Sequence, residues 1–333
     1  MIETARIGGA TAIADLVPEW ERLWQRDPAA TPFQSPAWQM AWWRHFGTAE
    51  PVLLTLRCGG ALVGLLPLYR LRERGCRKLL PIGIGLSDYI AGLFDPSAGE
   101  TAGMLIAAIA DMDGWDECWL PDLIAEAALA TAEAGRRLQC RTVEAPPCPI
   151  LELPATRSGL NAVVPRKTLR DLRQAQTRAA AVGGVTIERV GTDRLDAAMD
   201  DLFRLHEERW RTRGEWGVCA DLRVQAFHCE AAHALLAAGM LRLYRLWIGE
   251  AVAAVYYGFT AKRAAYAYLG GFDISQPRFS PGAQIIAHAI AEAIDEGAVR
   301  VDFLRGQEAY KYAWGAVDRR KISRYLSRQC PTP

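Results

Sequence analysis

Ser280-Pro281-Gly282-Ala283 stands where a strand and its loop give way to an apolar stretch with helical spacing. A helix start leaves backbone N–H groups unpaired and presents the positive end of the helix dipole. A glycine there lets an anion approach the backbone closely. The chemistry expected of this tetrad is recognition of a phosphate or diphosphate, with Arg278 just before it and Gln284 just inside the helix. Ser-Pro-Gly is equally a good plain helix start.

A second set follows on one short segment. Asp302 lies late in a predicted strand, and Arg305, Glu308, Tyr310 and Lys311 fall on the loop and short helix after it. Together they gather ionisable groups that could serve a site. Asp302 with Arg305 also suits a structural ion pair, and Lys311 a surface lysine beside a packed Trp314. His206 shares a helical pattern with Leu202, Phe203, Leu205 and Trp210. An imidazole with an ordinary pKa of about 6.5 is suited to deprotonating an amine. Glu207 and Glu208 offer the same service, and a lone histidine on such a helix is also a packing residue. Asp88, in Gly85-Leu-Ser-Asp-Tyr89, either accepts from an amine or hydroxyl or closes an Asx-type turn. His45, His228, His233 and His288 have no carboxylate or cysteine cluster, so no metal site is expected.

The elements that must position these groups fall into two runs. Prolines begin the helical patterns Pro18–Arg26 and Pro36–Phe46, whose tryptophans read either as core or as the lining of an apolar tunnel. Pro51–Cys58 and Ala61–Arg70 flank Gly59-Gly60, a strong hairpin signal. A glycine-punctuated stretch leads to a helix near Gly99–Asp111, a strand at Trp115–Leu120, a helix at Asp122–Gly135 and a strand at Leu138–Glu144. Pro146, Pro147, Pro149 and Pro154 mark a stiff connection. Beyond it come a basic helix (Pro165–Val182), a strand (Val185–Val190) and helices at Thr192–Arg213 and Asp221–Ala238. Strands follow at Leu241–Ile248, Ala251–Phe259 and Ala264–Gly271, then a helix at Gly282–Glu296. Val299–Leu304 reads as a strand, Gln307–Trp314 as a short helix and Ile322–Ser327 as a last strand. The order of elements repeats, which makes two similar domains the economical reading. On the basic helix, Arg166, Arg170 and Arg173 share one face, either a solvated surface or a stripe for RNA phosphates or anionic lipid heads.

Composition sets the limits. The chain has 333 residues, half of them apolar, enough for two cores, and a formal net charge of +1 that advertises no nucleic acid or anionic membrane. Its eight cysteines include Cys330 and form no C-x-x-C pair, so reduced thiols in a cytoplasmic protein are expected. No stretch approaches about 20 uncharged apolar residues, so no span is expected; peripheral membrane contact stays open.

From Tyr266 the chain reads Y-A-Y-L-G-G-F-D, then S-P-G at Ser280–Gly282, then V-D-F-L-R-G-Q-E-A-Y-K-Y-A-W-G over Val301–Gly315. With F-Q-S-P-A-W-Q-M-A-W-W-R-H-F at Phe33–Phe46, Ser87–Tyr89 and L-H-E-E-R-W-R at Leu205–Arg211, this resembles the CelD-like branch of the GNAT superfamily. It is similar, more distantly, to the Fem-type aminoacyl transferases. The resemblance implies an α/β (α+β) fold of two tandem GNAT-like domains, residues 1–148 and 149–333, each a mixed β-sheet flanked by helices, with the donor site in the second. It implies transfer of an acyl group to an amine or hydroxyl, with a coenzyme A thioester as co-substrate or an acyl carrier protein as donor. The acceptor would be a sugar, lipid or peptide. Leu269 and Gly270 would lie along the donor, and Ser280, Gly282 and Ala283 would meet its diphosphate. Arg278 to Ala283 carries one residue more before the glycine than the family's usual loop. Tyr310, with Tyr312 as the alternative, would protonate the leaving thiolate, and Lys311 would steady negative charge. Two other readings stay open: an aminoacyl-tRNA-dependent Fem-type ligase, and a degenerate, non-catalytic GNAT binding module.

Overall fold

A computed structural model of the chain describes residues 1–47, 50–212 and 214–328; Arg213 and Cys330 lie outside them. The chain divides into two compact units, Cys148–Arg319 and a first unit that joins Met1–Pro147 to the residues from Arg320 on. The segment after Arg319, expected in the second half, therefore belongs with the first.

In the first unit β1 (Ile2–Ile7) precedes two helices, α1 (Ala10–Arg26) and α2 (Pro36–Phe46). Next come β2 (Glu50–Cys58), β3 (Ala61–Glu73), β4 (Cys76–Pro81), the two-residue β5 (Leu93–Phe94), α3 (Ala102–Asp111), β6 (Glu117–Ile124) and the single turn α4 (Ala128–Thr131). The sheet runs β1-β2-β3-β4-β6, antiparallel except for β4 with β6, and β5 pairs with β3. Trp20, Trp24, Trp38 and Trp42 are buried. The indoles of the first three donate to Gln34 O, Thr31 O and Ser87 Oγ, each at 2.9 Å, which makes them core. The helix expected over Asp122–Gly135 shrinks to α4, because β6 runs on to Ile124.

Of the prolines expected to mark a stiff connection, Pro146, Pro147 and Pro149 lie within one extended strand, β7 (Leu138–Glu152), along which the chain passes into the second unit, and Pro154 follows it. There α5 (Leu160–Val163) and α6 (Arg166–Ala180) lead to β8 (Val185–Arg189), α7 (Leu195–Arg211) and α8 (Leu222–Ala237). The rest is β9 (Leu241–Ile248), β10 (Ala251–Ala261), β11 (Ala264–Phe272), α9 (Pro281–Asp295), β12 (Arg300–Asp302), α10 (Ala309–Ala313) and β13 (Val317–Arg328). The sheet order is β8-β9-β10-β11-β12 followed by the end of β7, antiparallel except for β11 with β12. The first unit follows the same pattern, completed by β13, which pairs antiparallel with β6 from Lys321 to Ser327. Each unit is thus a mixed sheet flanked by helices, as the sequence implies.

Candidate functional site

Two local devices pull β11 and β12 apart. β10 pairs Tyr257 with Leu269 but Gly258 with Ala267, so Tyr268 is an extra residue that bulges and bends β11. β12 pairs with β11 over three residues only, ending at Tyr266 opposite Asp302. Leu304 then takes a left-handed conformation (φ 58°), unusual for a branched side chain. Its N–H donates to Asp302 Oδ1 at 2.9 Å. Lys311 holds the far side of this turn: its Nζ, almost wholly buried, donates to the carbonyls of Leu304 (3.1 Å), Arg305 (2.8 Å) and Gly306 (3.1 Å) and pairs with Glu308 at 2.9 Å.

The resulting wedge opens into a cavity of about 620 Å³ in the second unit. Leu269 and Gly270 of β11, Ser280, Gly282 and Ala283 at the start of α9, and Glu308 and Tyr310 beyond β12 all line it. Gly282 is required by packing: a Cβ there would lie 2.9 Å from the Phe272 ring. At the helix start, Pro281 has no N–H, and the amides of Ala283 and Gln284 both turn to Ser280 O at 3.0 and 3.1 Å. That leaves the Gly282 amide as the first-turn N–H outside these two bonds. Ser280 itself is left-handed (φ 45°) and makes no side-chain cap.

Tyr310 meets Phe303 edge-on at 6.3 Å. Burial, reinforced by the Glu308 charge and opposed by Arg209, pushes its phenol up to about 12, so it stays a hydrogen-bond donor over the working pH range. Arg209 of α7 also lines the cavity, its guanidinium 4.9 Å from the Phe272 ring centre. Nothing in the spacing of Leu205–Arg211 singles it out, since only the close approach of α7 to β11 brings it there. That approach depends on Gly271, where a Cβ would meet Leu205 Cβ at 2.7 Å and the His206 amide at 2.8 Å.

The other sequence candidates do not line the cavity. Arg278 stacks on Phe279 (4.4 Å), and the Gln284 amide turns back to Phe279 O at 2.8 Å. Asp302 is fully buried and Lys311 nearly so, both spent on the turn between β12 and α10. His206 is buried with Nε2 accepting from Trp210 Nε1 at 2.9 Å, and Gly217 packs against its ring. Burial, with help from the Arg209 charge, lowers its pKa to about 4, too weak a base to take a proton from an amine. Tyr312 donates to Asp318 at 2.7 Å. Asp88 sits in the first unit, its carbonyl accepting from Lys321 Nζ at 3.1 Å. Arg170 pairs with neighbouring Asp171, and Arg173 donates to Leu169 O, both at the surface of α6. Among the described residues no cluster of histidine, cysteine, aspartate and glutamate suits a metal ion. Among the same residues no helix is long and apolar enough to cross a membrane.

A parallel strand pair that parts beside a glycine-bearing helix start is the framework of a GNAT-type fold. Residues 166–312 match the family model described as an acetyltransferase (GNAT) domain. Among solved structures the chain is similar to FemX, with a TM-score of 0.71 at 13% identity over 98% of this chain and 97% of that one. It is similar also to the C-terminal DUF2156 domain of a putative lysylphosphatidylglycerol synthetase from Agrobacterium fabrum (TM-score 0.58, 12% identity, 96% and 93% covered). A conserved protein of unknown function from Bacteroides thetaiotaomicron gives a TM-score of 0.58 at 12% identity, with 98% and 100% covered. No curated protein matches the sequence. At these identities the structural likenesses establish the fold, and the second unit carries a GNAT-type domain.

Proposed function

We propose that this protein is an acyltransferase that passes an acyl group from a thioester, carried by coenzyme A or an acyl carrier protein, to an amine by direct attack. The observation that carries this reading is the wedge beyond Tyr266 and Asp302, where β11–β12 pairing ends beside the start of α9 at Gly282. The acceptor nitrogen attacks the thioester carbonyl, a C–N bond forms, the C–S bond breaks, and the thiolate leaves. Glu308, whose Oε2 pairs with Lys311, receives the amine proton on its other carboxylate oxygen, whereas both oxygens of Asp273, the other cavity carboxylate, are engaged by Ser275 and Gln276. Tyr310 donates its O–H to the departing sulfur. Lys311 and Asp302 act on the chemistry by holding the turn that presents Glu308 and Tyr310.

Thiol release from acyl thioesters, followed with a panel of amino-sugar, lipid and peptide amines, tests the reading. Tyr310→Phe is expected to lower kcat by about a hundredfold with the melting temperature unchanged. Absence of thiol release with every acceptor would sink it. The Fem-type alternative, an aminoacyl-tRNA donor, draws support from the exposed arginines of α6. It requires tRNA binding that weakens steeply with salt.

A further inference from the structure

Among the described residues that line the cavity, the charged ones are Arg209, Asp273 and Glu308. Neither carboxylate needs the arginine as a partner. Glu308 pairs with Lys311 at 2.9 Å, and Asp273 accepts from the Ser275 amide and hydroxyl and from the Gln276 side chain. The guanidinium therefore brings a positive charge that the cavity's own acids do not require. Its footing is aromatic, 4.9 Å from the centre of the Phe272 ring, an attraction that acts on the charge and uses no N–H donor. A guanidinium stays charged at every working pH. Its planar fork of donors fits a carboxylate or a phosphate with two parallel bonds. Half-buried in a cavity walled mainly by apolar side chains, it has lost solvation that an anionic ligand would replace. The arginine also stands near the reacting end. The Tyr310 phenol, raised chiefly by burial, responds to the Glu308 charge in one direction and to Arg209 in the other. A donor's diphosphate lies a whole pantetheine arm from its thioester, so a cation near Tyr310 is better placed for a group close to the attacking nitrogen.

We propose that the acceptor is an amine carrying its own oxyanion, an amino acid in the first instance, with Arg209 gripping the anionic group while the nitrogen lies at Glu308. The inference rests on the thioester reading above and narrows its acceptor. The oxyanion takes no part in bond making. The nitrogen forms the C–N bond, the thiolate leaves, and the product keeps the negative charge that Arg209 holds.

Thiol release from acetyl- and decanoyl-coenzyme A by the full chain provides the test, with acceptors offered in pairs: the common amino acids against their carboxamides, and glucosamine 6-phosphate against glucosamine. The amine of a carboxamide loses its proton more easily, so chemistry alone would favour the neutral form. Instead kcat/KM is expected to be about ten- to a hundredfold higher for the anionic form. Which pair shows the preference tells a carboxylate from a phosphate. Arg209→Gln should erase it by raising KM for the anionic acceptor while leaving Kd for coenzyme A as it was, and Arg209→Lys should restore part of it. Equal use of charged and neutral forms by the unaltered protein would overturn the inference and leave the thioester reading standing. So would an Arg209→Gln protein that loses coenzyme A affinity but keeps its acceptor preference, since the arginine would then serve the donor. No thiol release with any acceptor would remove both. The paired acceptors give their answer in the unaltered chain, so nothing hangs on a variant's folding.

Discussion

Two buried imidazoles make the protein sensitive to acid. His206 is held near 4, chiefly by burial, and His228, buried throughout, near 3. Both are neutral in the fold, while in the unfolded chain each takes a proton near pH 6.5. Between about pH 6.5 and 4 the unfolded state binds protons that the folded state refuses, so stability is full above that window and is lost as pH falls through it. For His206 alone the loss amounts to roughly 2 to 3 kcal/mol. Urea midpoints should therefore drop between pH 7.5 and 4.5, and His206→Gln should flatten the drop; an unchanged slope in that variant would contradict the assignment. The residue types at the site were readable in the sequence. Tyr310, Glu308 and the Ser280–Ala283 turn stood out as chemistry and line the cavity. Lys311, Asp302 and His206 stood out too, but the structure spends them on carbonyls, an amide and an indole. Residue type announces what a group can do. Only burial and partners decide which atom receives it.

At the scale of elements, the site depends on how closely helices approach β11. Gly271 allows α7 to lie against the strand, which carries Arg209 to the cavity. Gly271→Ala would press a methyl group on the Leu205 and His206 backbone, which cannot yield as a flexible side chain could. We expect a loss of about 1 to 3 kcal/mol on chemical denaturation. A stability equal to that of the unaltered chain would show that α7 has slack. Strands β9 and β10 were legible almost to the residue, because Gly249 marks their turn and apolar residues fill both. The Asp122–Gly135 helix was misjudged because its alanines score as helix formers while sheet pairing claims the first residues. The bulge at Tyr268 left no mark in the sequence, since a bulge is a property of pairing between strands distant along the chain.

For the whole molecule, the unexpected feature is the strand that returns to the first unit. Lys321, on β13, is fully buried: its Nζ donates to Asp122 Oδ1 at 2.8 Å and to Asp88 O at 3.1 Å and lies 5.6 Å from the centre of the Tyr89 ring. Lys321→Met should cost roughly 3 kcal/mol, because it leaves the Asp122 carboxylate without this cation. Adding Asp122→Asn should recover much of the loss in equilibrium unfolding. If the single and double variants unfold alike, the pair contributes nothing. This return also carries a consequence for biosynthesis. A ribosome makes β6 early but supplies its partner only after every residue of the intervening unit has been translated. Until then the nascent first unit waits with one side of β6 unpaired, a sticky border that neighbouring chains can join. Folding in the cell must therefore finish near where it began, and the late strand acts as the seal.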